Sequence, residues 1–115
     1  MVLTLYGIPN CDTVKKARVW LGEHGIDHVF HDYKKSGVDP ATLGLWVDEH
    51  GWEVVLNRAG TTFRKLPETD RTELDRDKAI TLMLSQPSMI KRPVLDLGGR
   101  RLVGFKPDAY AAALT

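Results

Sequence analysis

The sequence predicts a mixed α/β fold in which helical segments are inserted between the two halves of one β-sheet. Two observations carry this prediction. A strand, a helix and a second strand follow one another in the first third of the chain, and a hairpin followed by a short helix ends it. A strand–helix–strand unit implies a right-handed parallel crossover, whereas strands joined by a tight turn pair antiparallel. The sheet is therefore expected to contain both kinds of pairing.

The first strand is predicted over Val2–Tyr6, a short run of apolar and β-favouring residues that a glycine and a proline end. A helix follows from Asp12 to His24, because apolar side chains recur there at helical spacing. Gly25 provides its left-handed cap. A second strand is predicted over Ile26–Tyr33, and Lys34–Gly37 is predicted to be a polar turn.

Helices and loops are predicted for the middle of the chain. Asp39 and Pro40 are an N-cap and a first-turn proline that open a helix. Trp52–Leu56 is ambiguous between a short helix and a strand, and Asn57–Pro67 is predicted to be a loop. A further helix lies between Leu74 and Ser85 and ends before a proline. The apolar residues expected to be buried are Leu43, Trp46 and Val47 in the first helix and Ile80, Met83 and Leu84 in the second.

The last third of the chain returns to strands. Ile90–Leu97 leads into Gly98–Gly99, and Arg100–Phe105 comes back, which is typical of an antiparallel hairpin with a two-glycine turn. Lys106–Asp108 then opens a terminal helix that runs to Leu114.

Length and composition are those of one ordinary globular domain. The chain has 115 residues, of which 43% are hydrophobic and 27% charged. We expect a single domain over residues 1–115 with a mostly helical insertion at about 39–86. No apolar run approaches the ~20 residues of a membrane span, and the start of the chain lacks the features of a signal peptide. These observations predict a cytoplasmic protein with no membrane partner.

Charge and cysteine content exclude several function classes. The net charge of +1 argues against direct nucleic-acid binding. Cys11 is the single cysteine, so an internal disulfide is excluded and a redox cycle must borrow its second thiol from another molecule. A metal site is not expected, because His28 and His31 face opposite sides of a predicted strand. No bound cofactor is expected either.

Cys11 lies where the first strand feeds the first helix. The unpaired N–H groups and the positive end of the helix dipole favour an anion there, and they lower the pKa of a thiol. Asn10, Asp12 and Thr13 surround it with polar groups, although a carboxylate beside a thiol disfavours its ionisation. We prefer a reactive Cys11, and a small, buried and inert thiol is the alternative.

Five segments spread over nearly the whole chain carry long, ordered motifs. They are Tyr6–Cys11, Lys15–Leu21, Leu56–Arg58, Gln86–Pro93 and Val103–Pro107. Together they resemble the ArsC/Spx family, and most closely its YffB branch of small reductase-like proteins. The resemblance implies a thioredoxin-like fold with a helical insertion, in agreement with the predicted order of elements.

The resemblance also implies a site. In the glutaredoxin-coupled arsenate reductases of this family, three basic residues around the nucleophilic cysteine hold the oxyanion. Cys11 matches the nucleophile, and Arg58 and Arg92 match two of the arginines. Lys106 stands where the family has the third; it keeps the charge but loses the planar fork that suits tetrahedral oxyanions, which argues against arsenate as the natural substrate. Pro93 matches a proline that is cis and faces the cysteine.

The Spx regulators of the same family carry Cys-x-x-Cys and bind RNA polymerase. Here the window Cys11–Val14 holds one cysteine, so an internal redox switch is absent. A monothiol that attacks a disulfide stalls as a mixed disulfide until an outside thiol resolves it, and glutathione is the abundant cytosolic candidate.

Two function classes remain open. The preferred one is a glutathione-dependent thiol or arsenate-type reductase with Cys11 as nucleophile and with glutathione and glutaredoxin as partners. The residues expected to bind its substrate or glutathione are Arg58, Arg92, Lys106, Asn10 and Pro93. The basic residues suit the carboxylates of glutathione and an arsenate-like oxyanion equally well. The alternative is an Spx-like regulator that binds RNA polymerase or another protein, with Cys11 as a sensor or a relic.

Overall fold

A computed structural model describes residues 3–115, and within them the mixed α/β sheet is confirmed. The predicted start of the first strand at Val2 lies outside the described residues. Four strands form one sheet in the order β2-β1-β3-β4 within this range. They are β1 (Leu3–Gly7), β2 (His28–Asp32), β3 (Val94–Asp96) and β4 (Arg101–Val103). β1 pairs parallel with β2 and antiparallel with β3, and β3 and β4 form the predicted hairpin.

Helices form most of the remaining regular structure. They are α1 (Asp12–Glu23), α2 (Tyr33–Ser36), α3 (Pro40–His50), α4 (Trp52–Val55), α5 (Thr61–Arg64), α6 (Glu68–Arg71), α7 (Arg76–Ser85) and α8 (Pro107–Leu114). A 3₁₀ turn covers Pro87–Met89. Across residues 3–115, every helix is too short or too polar to cross a lipid bilayer.

The chain divides into two compact units. One contains the residues up to Ser36 together with Arg92–Thr115, and therefore the whole sheet with α1, α2 and α8. The other is Gly37–Lys91 and contains α3 to α7.

The core of the first unit joins the sheet to α1 and α8. Its fully or almost fully buried members are Leu3 and Leu5 of β1, Ala17 and Leu21 of α1, Leu95 of β3 and Tyr110 of α8. The Tyr110 ring packs nearly perpendicular to the rings of Trp20 and Phe105, with ring centroids 5.6 and 4.8 Å away. Because apolar burial is the main stabilising contribution, this cluster fixes α1 on the sheet, and with α1 the residue that precedes it, Cys11.

α1 ends at the left-handed glycine that the sequence predicts. Gly25 has a φ of +66°, and its N–H donates to the carbonyl of Gly22 at 3.1 Å. The N–H of Ile26 donates to the carbonyl of Leu21 at 2.9 Å. These two bonds form a Schellman motif, which satisfies carbonyls that the helix end leaves open.

α3 forms as predicted in the second unit. The Asp39 carboxylate accepts the N–H of Thr42 at 3.2 Å, and Pro40 is the first helical residue. The three residues predicted to face the core are buried: Leu43, Trp46 and Val47.

α7 is present but begins later than predicted. Asp75 caps it by accepting the N–H of Lys78 at 2.8 Å. Met83 is buried as expected. Ala79 is buried in place of Ile80 and Leu84, which are only half-buried.

The prediction of an uninterrupted loop over Asn57–Pro67 is wrong, because Thr61–Arg64 forms α5. The Phe63 side chain is 7% exposed and provides an apolar anchor for this helical turn. The hydroxyl groups of Thr62 and Ser88, which are 26 positions apart in the sequence, form a hydrogen bond of 3.2 Å that sequence spacing does not reveal.

Two further short segments form helical turns. The predicted polar turn after β2 is the helical turn α2, whose first N–H groups are capped by Asp32: its carboxylate accepts from Lys34 and Lys35 at 3.1 and 3.2 Å. The ambiguous segment is α4, followed by an isolated antiparallel bridge between Leu56 and Ile90.

Gly7 allows the end of β1 to approach α1 closely. A Cβ atom built on Gly7 would lie 2.8 Å from Cγ2 and 3.2 Å from Cγ1 of Val14, which is fully buried. Real Cβ atoms do not tolerate the shorter distance. The close packing of β1 against α1, on either side of Cys11, therefore requires a glycine at position 7.

Gly7→Ala is expected to destabilise the protein by about 1–3 kcal/mol, since an added methyl group in a packed core forces strain on its neighbours. Urea denaturation measures this change. The matched control is Gly22→Ala on α1, where nothing lies within 4 Å of the new Cβ; it should be neutral or stabilising by up to ~1 kcal/mol. Equal stability of Gly7→Ala and the parent would contradict this expectation, because it would show that β1 and α1 make room for the added methyl group at no cost.

Candidate functional site

Cys11 is the N-cap residue of α1. Its backbone is extended, with φ −131° and ψ 123°, and its carbonyl accepts the N–H of Lys15 at 2.9 Å, the first bond of the helix. Its side chain is half-buried. The thiol thus occupies the position at which polar side chains usually accept helix N–H groups.

The surroundings of the thiol favour its ionised form. Burial raises the pKa of the Cys11 thiol, but hydrogen bonds from the N–H of Val14, the guanidinium of Arg92 and the N–H of Thr13 outweigh it. The positive charge of Arg92 acts in the same direction, so the net pKa lies below its ordinary value. The neutral thiol makes no close capping bond, and these donors therefore act chiefly on the thiolate, which is the nucleophilic form.

Arg92 and Pro93 form the link that leads into β3. Arg92 is half-buried, and the Arg92–Pro93 peptide bond is cis, as the family resemblance implies. Pro93 is buried, and its carbonyl accepts the N–H of Gly104 at 2.8 Å. The backbone beside Arg92 is thereby tied to the segment that follows β4.

Tyr33 joins this cluster, although the sequence identifies it only as the last residue of a predicted strand. Its side chain has no exposed surface, and its hydroxyl oxygen is hydrogen-bonded to the Arg92 side chain. Burial raises the pKa of the Tyr33 hydroxyl; Arg92 lowers it, while the charges of Cys11 and Asp32 raise it, and the net pKa lies above its ordinary value. The hydroxyl is therefore neutral at physiological pH.

The signal that could have identified Tyr33 is its place after β2. The carboxyl ends of parallel strands meet at one edge of a sheet, and that edge is where α/β proteins place ligands. Gly7 of β1 pairs with Asp32 of β2, so the chain after each strand leaves the sheet at the same end. Cys11 follows one strand and Tyr33 follows the other.

The structure places the other predicted residues in different surroundings. Asn10 is exposed in the turn before Cys11, and Lys106 is exposed at the N-cap of α8. Arg58 lies in the second unit, exposed after α4, with its guanidinium carbon 5.5 Å from the centre of the Trp52 ring. Over residues 3–115, Arg92 is the basic residue whose side chain bonds to the sulfur.

A pocket of about 400 Å³ opens beside the turn that precedes Cys11. It is lined by Ile8, Pro9, Asn10, Asp32, Lys34 and Lys35. The Asp32 carboxylate is engaged by two backbone N–H groups of α2. The two exposed lysines of that helical turn add positive charge at the rim, which suits an anionic ligand.

The described part of the chain, residues 3–115, contains no group of three or more His, Cys, Asp or Glu residues arranged to hold a metal ion.

Comparison with known proteins identifies the family. The sequence pattern of the ArsC family matches residues 6–113, and the chain belongs to that family. Among solved structures, the YffB protein is 67% identical with a TM-score of 0.97, covering 99% of this chain and all (100%) of its own. An arsenate reductase (ArsC) related protein from Brucella melitensis is 60% identical with a TM-score of 0.78, covering 97% of this chain and 93% of its own.

Regulators are also among the relatives. The global transcriptional regulator Spx of Streptococcus pyogenes is 31% identical over 99% of this chain and 86% of the regulator. The predicted family and its thioredoxin-like α/β fold are thus confirmed.

The ionisation of Cys11 should be visible in its reactivity. The rate of iodoacetamide alkylation, followed against pH, should show a midpoint below the ~8.5 of a free cysteine, because only the thiolate reacts. Arg92→Met removes a donor and a positive charge, which destabilises the thiolate and should move the midpoint upward.

Cys11→Ser is the control for this experiment and should take up no label. A parent thiol that reacts only in denaturant would return Cys11 to the class of buried, inert cysteines. An unchanged midpoint in Arg92→Met would remove Arg92 from the site.

Proposed function

We propose that the protein is a cytoplasmic, glutathione-dependent reductase of the arsenate-reductase type, with Cys11 as its nucleophile. The observation that carries the proposal is the convergence of the Arg92 guanidinium and two helix N–H groups on the Cys11 sulfur. Such donors hold a cysteine as the thiolate needed to attack an oxidised substrate. The similarity to an arsenate reductase (ArsC) related protein at 60% identity supports a reductase.

The single cysteine determines the cycle. The Cys11 thiolate attacks the glutathione sulfur of a mixed disulfide; the substrate leaves as a thiolate and takes a proton from water. A glutathione thiolate then attacks the Cys11-bound glutathione sulfur, which releases the Cys11 thiolate and glutathione disulfide. Each cycle therefore consumes one glutathione thiol, converts the substrate mixed disulfide into glutathione disulfide and releases the substrate as a free thiol. The chain has no second cysteine that could resolve the mixed disulfide in place of glutathione.

The pocket beside Cys11 supports a peptide thiol as the partner. Glutathione carries two carboxylates, and the pocket is lined by Lys34, Lys35 and Asn10, the last of which directly precedes Cys11 in the chain. Charge-assisted hydrogen bonds to carboxylates are stronger than neutral ones. Arg58 and Lys106 remain predicted anion ligands in this proposal.

Glutathione-dependent reduction of a mixed disulfide, coupled to glutathione reductase and NADPH oxidation, tests the function. The parent should turn over and Cys11→Ser should not. Lys34→Glu/Lys35→Glu should raise the KM for glutathione by about tenfold, as expected for losing one or two charge-assisted contacts. The matched control, Arg64→Glu/Lys65→Glu, reverses two exposed charges on the second unit and should leave the KM unchanged.

A reactive Cys11 without turnover of any glutathione mixed disulfide or of arsenate would contradict the proposed activity. Equal KM values for the two charge-reversed variants would place the glutathione carboxylates outside this pocket.

Arsenate can be tested separately as a substrate. Lys106→Arg restores the planar fork that binds a tetrahedral oxyanion through two bonds, and it should raise glutathione- and glutaredoxin-dependent arsenite formation several-fold. Lys106→Gln, which lacks the charge, should lower it. No gain with arginine in an enzyme whose Cys11 is reactive would show that arsenate is not the substrate this site fits.

The second candidate function is an Spx-like regulator that binds RNA polymerase. The observation that favours it is the 31% identity to Spx over 99% of this chain. Affinity purification of the tagged protein from cells distinguishes the two: stoichiometric recovery of polymerase subunits, without glutathione-dependent turnover, would favour the regulator.

A further inference from the structure

Tyr33, Arg92 and Cys11 form a connected row of polar groups at one end of the sheet. Arg92 donates to the ionised sulfur of Cys11 and also to the hydroxyl oxygen of Tyr33. They come from three places in the sequence: Cys11 follows β1, Tyr33 follows β2, and Arg92 lies in the link before β3. All three lie in the first compact unit.

The guanidinium is suited to connect two acceptors. Its N–H donors point in fixed directions within one plane, so a bond that fixes one of them also aims the others. The Tyr33 side chain is completely buried, whereas that of Arg92 is only half-buried. A fixed acceptor therefore holds a side chain that otherwise has many rotamers.

We propose that Tyr33 is a positioning residue, which aims the Arg92 guanidinium at the Cys11 sulfur and thereby sets the reactivity of the thiol. The inference rests on the proposed function only in assuming that Cys11 is the nucleophile. It concerns the ionisation of the thiol, which can be measured without any substrate.

The neutral state of the Tyr33 hydroxyl is part of this role. A carboxylate could hold Arg92 equally well, but its negative charge would cancel the positive charge that stabilises the thiolate. The nearest acid in sequence, Asp32, has its Oδ1 engaged by the N–H groups of Lys34 and Lys35. A neutral acceptor thus leaves the charge of Arg92 available to the sulfur.

Tyr33→Phe tests the proposal, because it removes the hydroxyl and keeps the buried ring. The midpoint of iodoacetamide alkylation should rise towards that of Arg92→Met, and alkylation below the midpoint should slow by about 3–10-fold, which corresponds to 0.5–1 pKa unit. Adding Tyr33→Phe to Arg92→Met should change nothing further, since the two act through one contact.

Tyr110→Phe is the matched control. Tyr110 is also fully buried in the first unit, and its hydroxyl lies 3.5 Å from the carbonyl oxygen of Gly104. This variant should leave the alkylation midpoint unchanged. A Tyr33→Phe protein with lower urea stability but the parent midpoint would overturn the proposal, because it would show a packing role alone.

A second readout uses the folded parent and needs no change at Tyr33. The ¹³C resonance of the Tyr33 hydroxyl-bearing carbon should shift with pH at the alkylation midpoint of Cys11, and the shift should be absent in Cys11→Ser. A Tyr33 resonance that ignores Cys11 ionisation would overturn the coupling. If glutathione turnover fails while both readouts hold, the proposed function is wrong and the role of Tyr33 stands.

Discussion

The hydrogen bond between Arg92 and the Cys11 sulfur is the contact on which the site depends, and the sheet explains why it forms. β1 and β3 pair antiparallel, with Tyr6 opposite Val94. The end of β1 and the start of β3 therefore lie side by side. Cys11 follows the first and Arg92 precedes the second, so residues about eighty positions apart are brought together by backbone pairing before any side chain contributes.

The sequence predicts this site unevenly, and the differences have physical causes. The position of Cys11 at a helix start follows from local signals. Gly7 and Pro9 end the first strand, and apolar residues recur at helical spacing after Cys11. Arg92 could be assigned only through the family resemblance, because its contact depends on strand pairing across the whole chain. The role of Tyr33 does not follow from the sequence, because one strand does not reveal which partner it lies beside. The sequence predicts a loop at Thr61–Arg64 because the burial of Phe63, which anchors this helical turn, is a tertiary effect.

A relative named for arsenate reduction has a similar structure, and a transcriptional regulator is similar in sequence over 99% of this chain. The fold alone therefore does not select a function. The chemistry of this chain must be argued from the groups at one end of its sheet: one thiol, one guanidinium bonded to it, and a neutral phenol bonded to the guanidinium. That arrangement supplies one activated sulfur, and in the proposed cycle the resolving thiol comes from glutathione.

The close approach of Gly7 and Val14 bears on how such a site changes during evolution. In a Cys-x-x-Cys pattern the second sulfur would stand at Val14, whose branched side chain here fills the space beside Gly7 and is shielded from solvent. Replacing it by cysteine would remove packing that the strand and helix share. The step from one thiol to two is therefore tied to the spacing of two secondary-structure elements, so lineages of this fold should change both positions together.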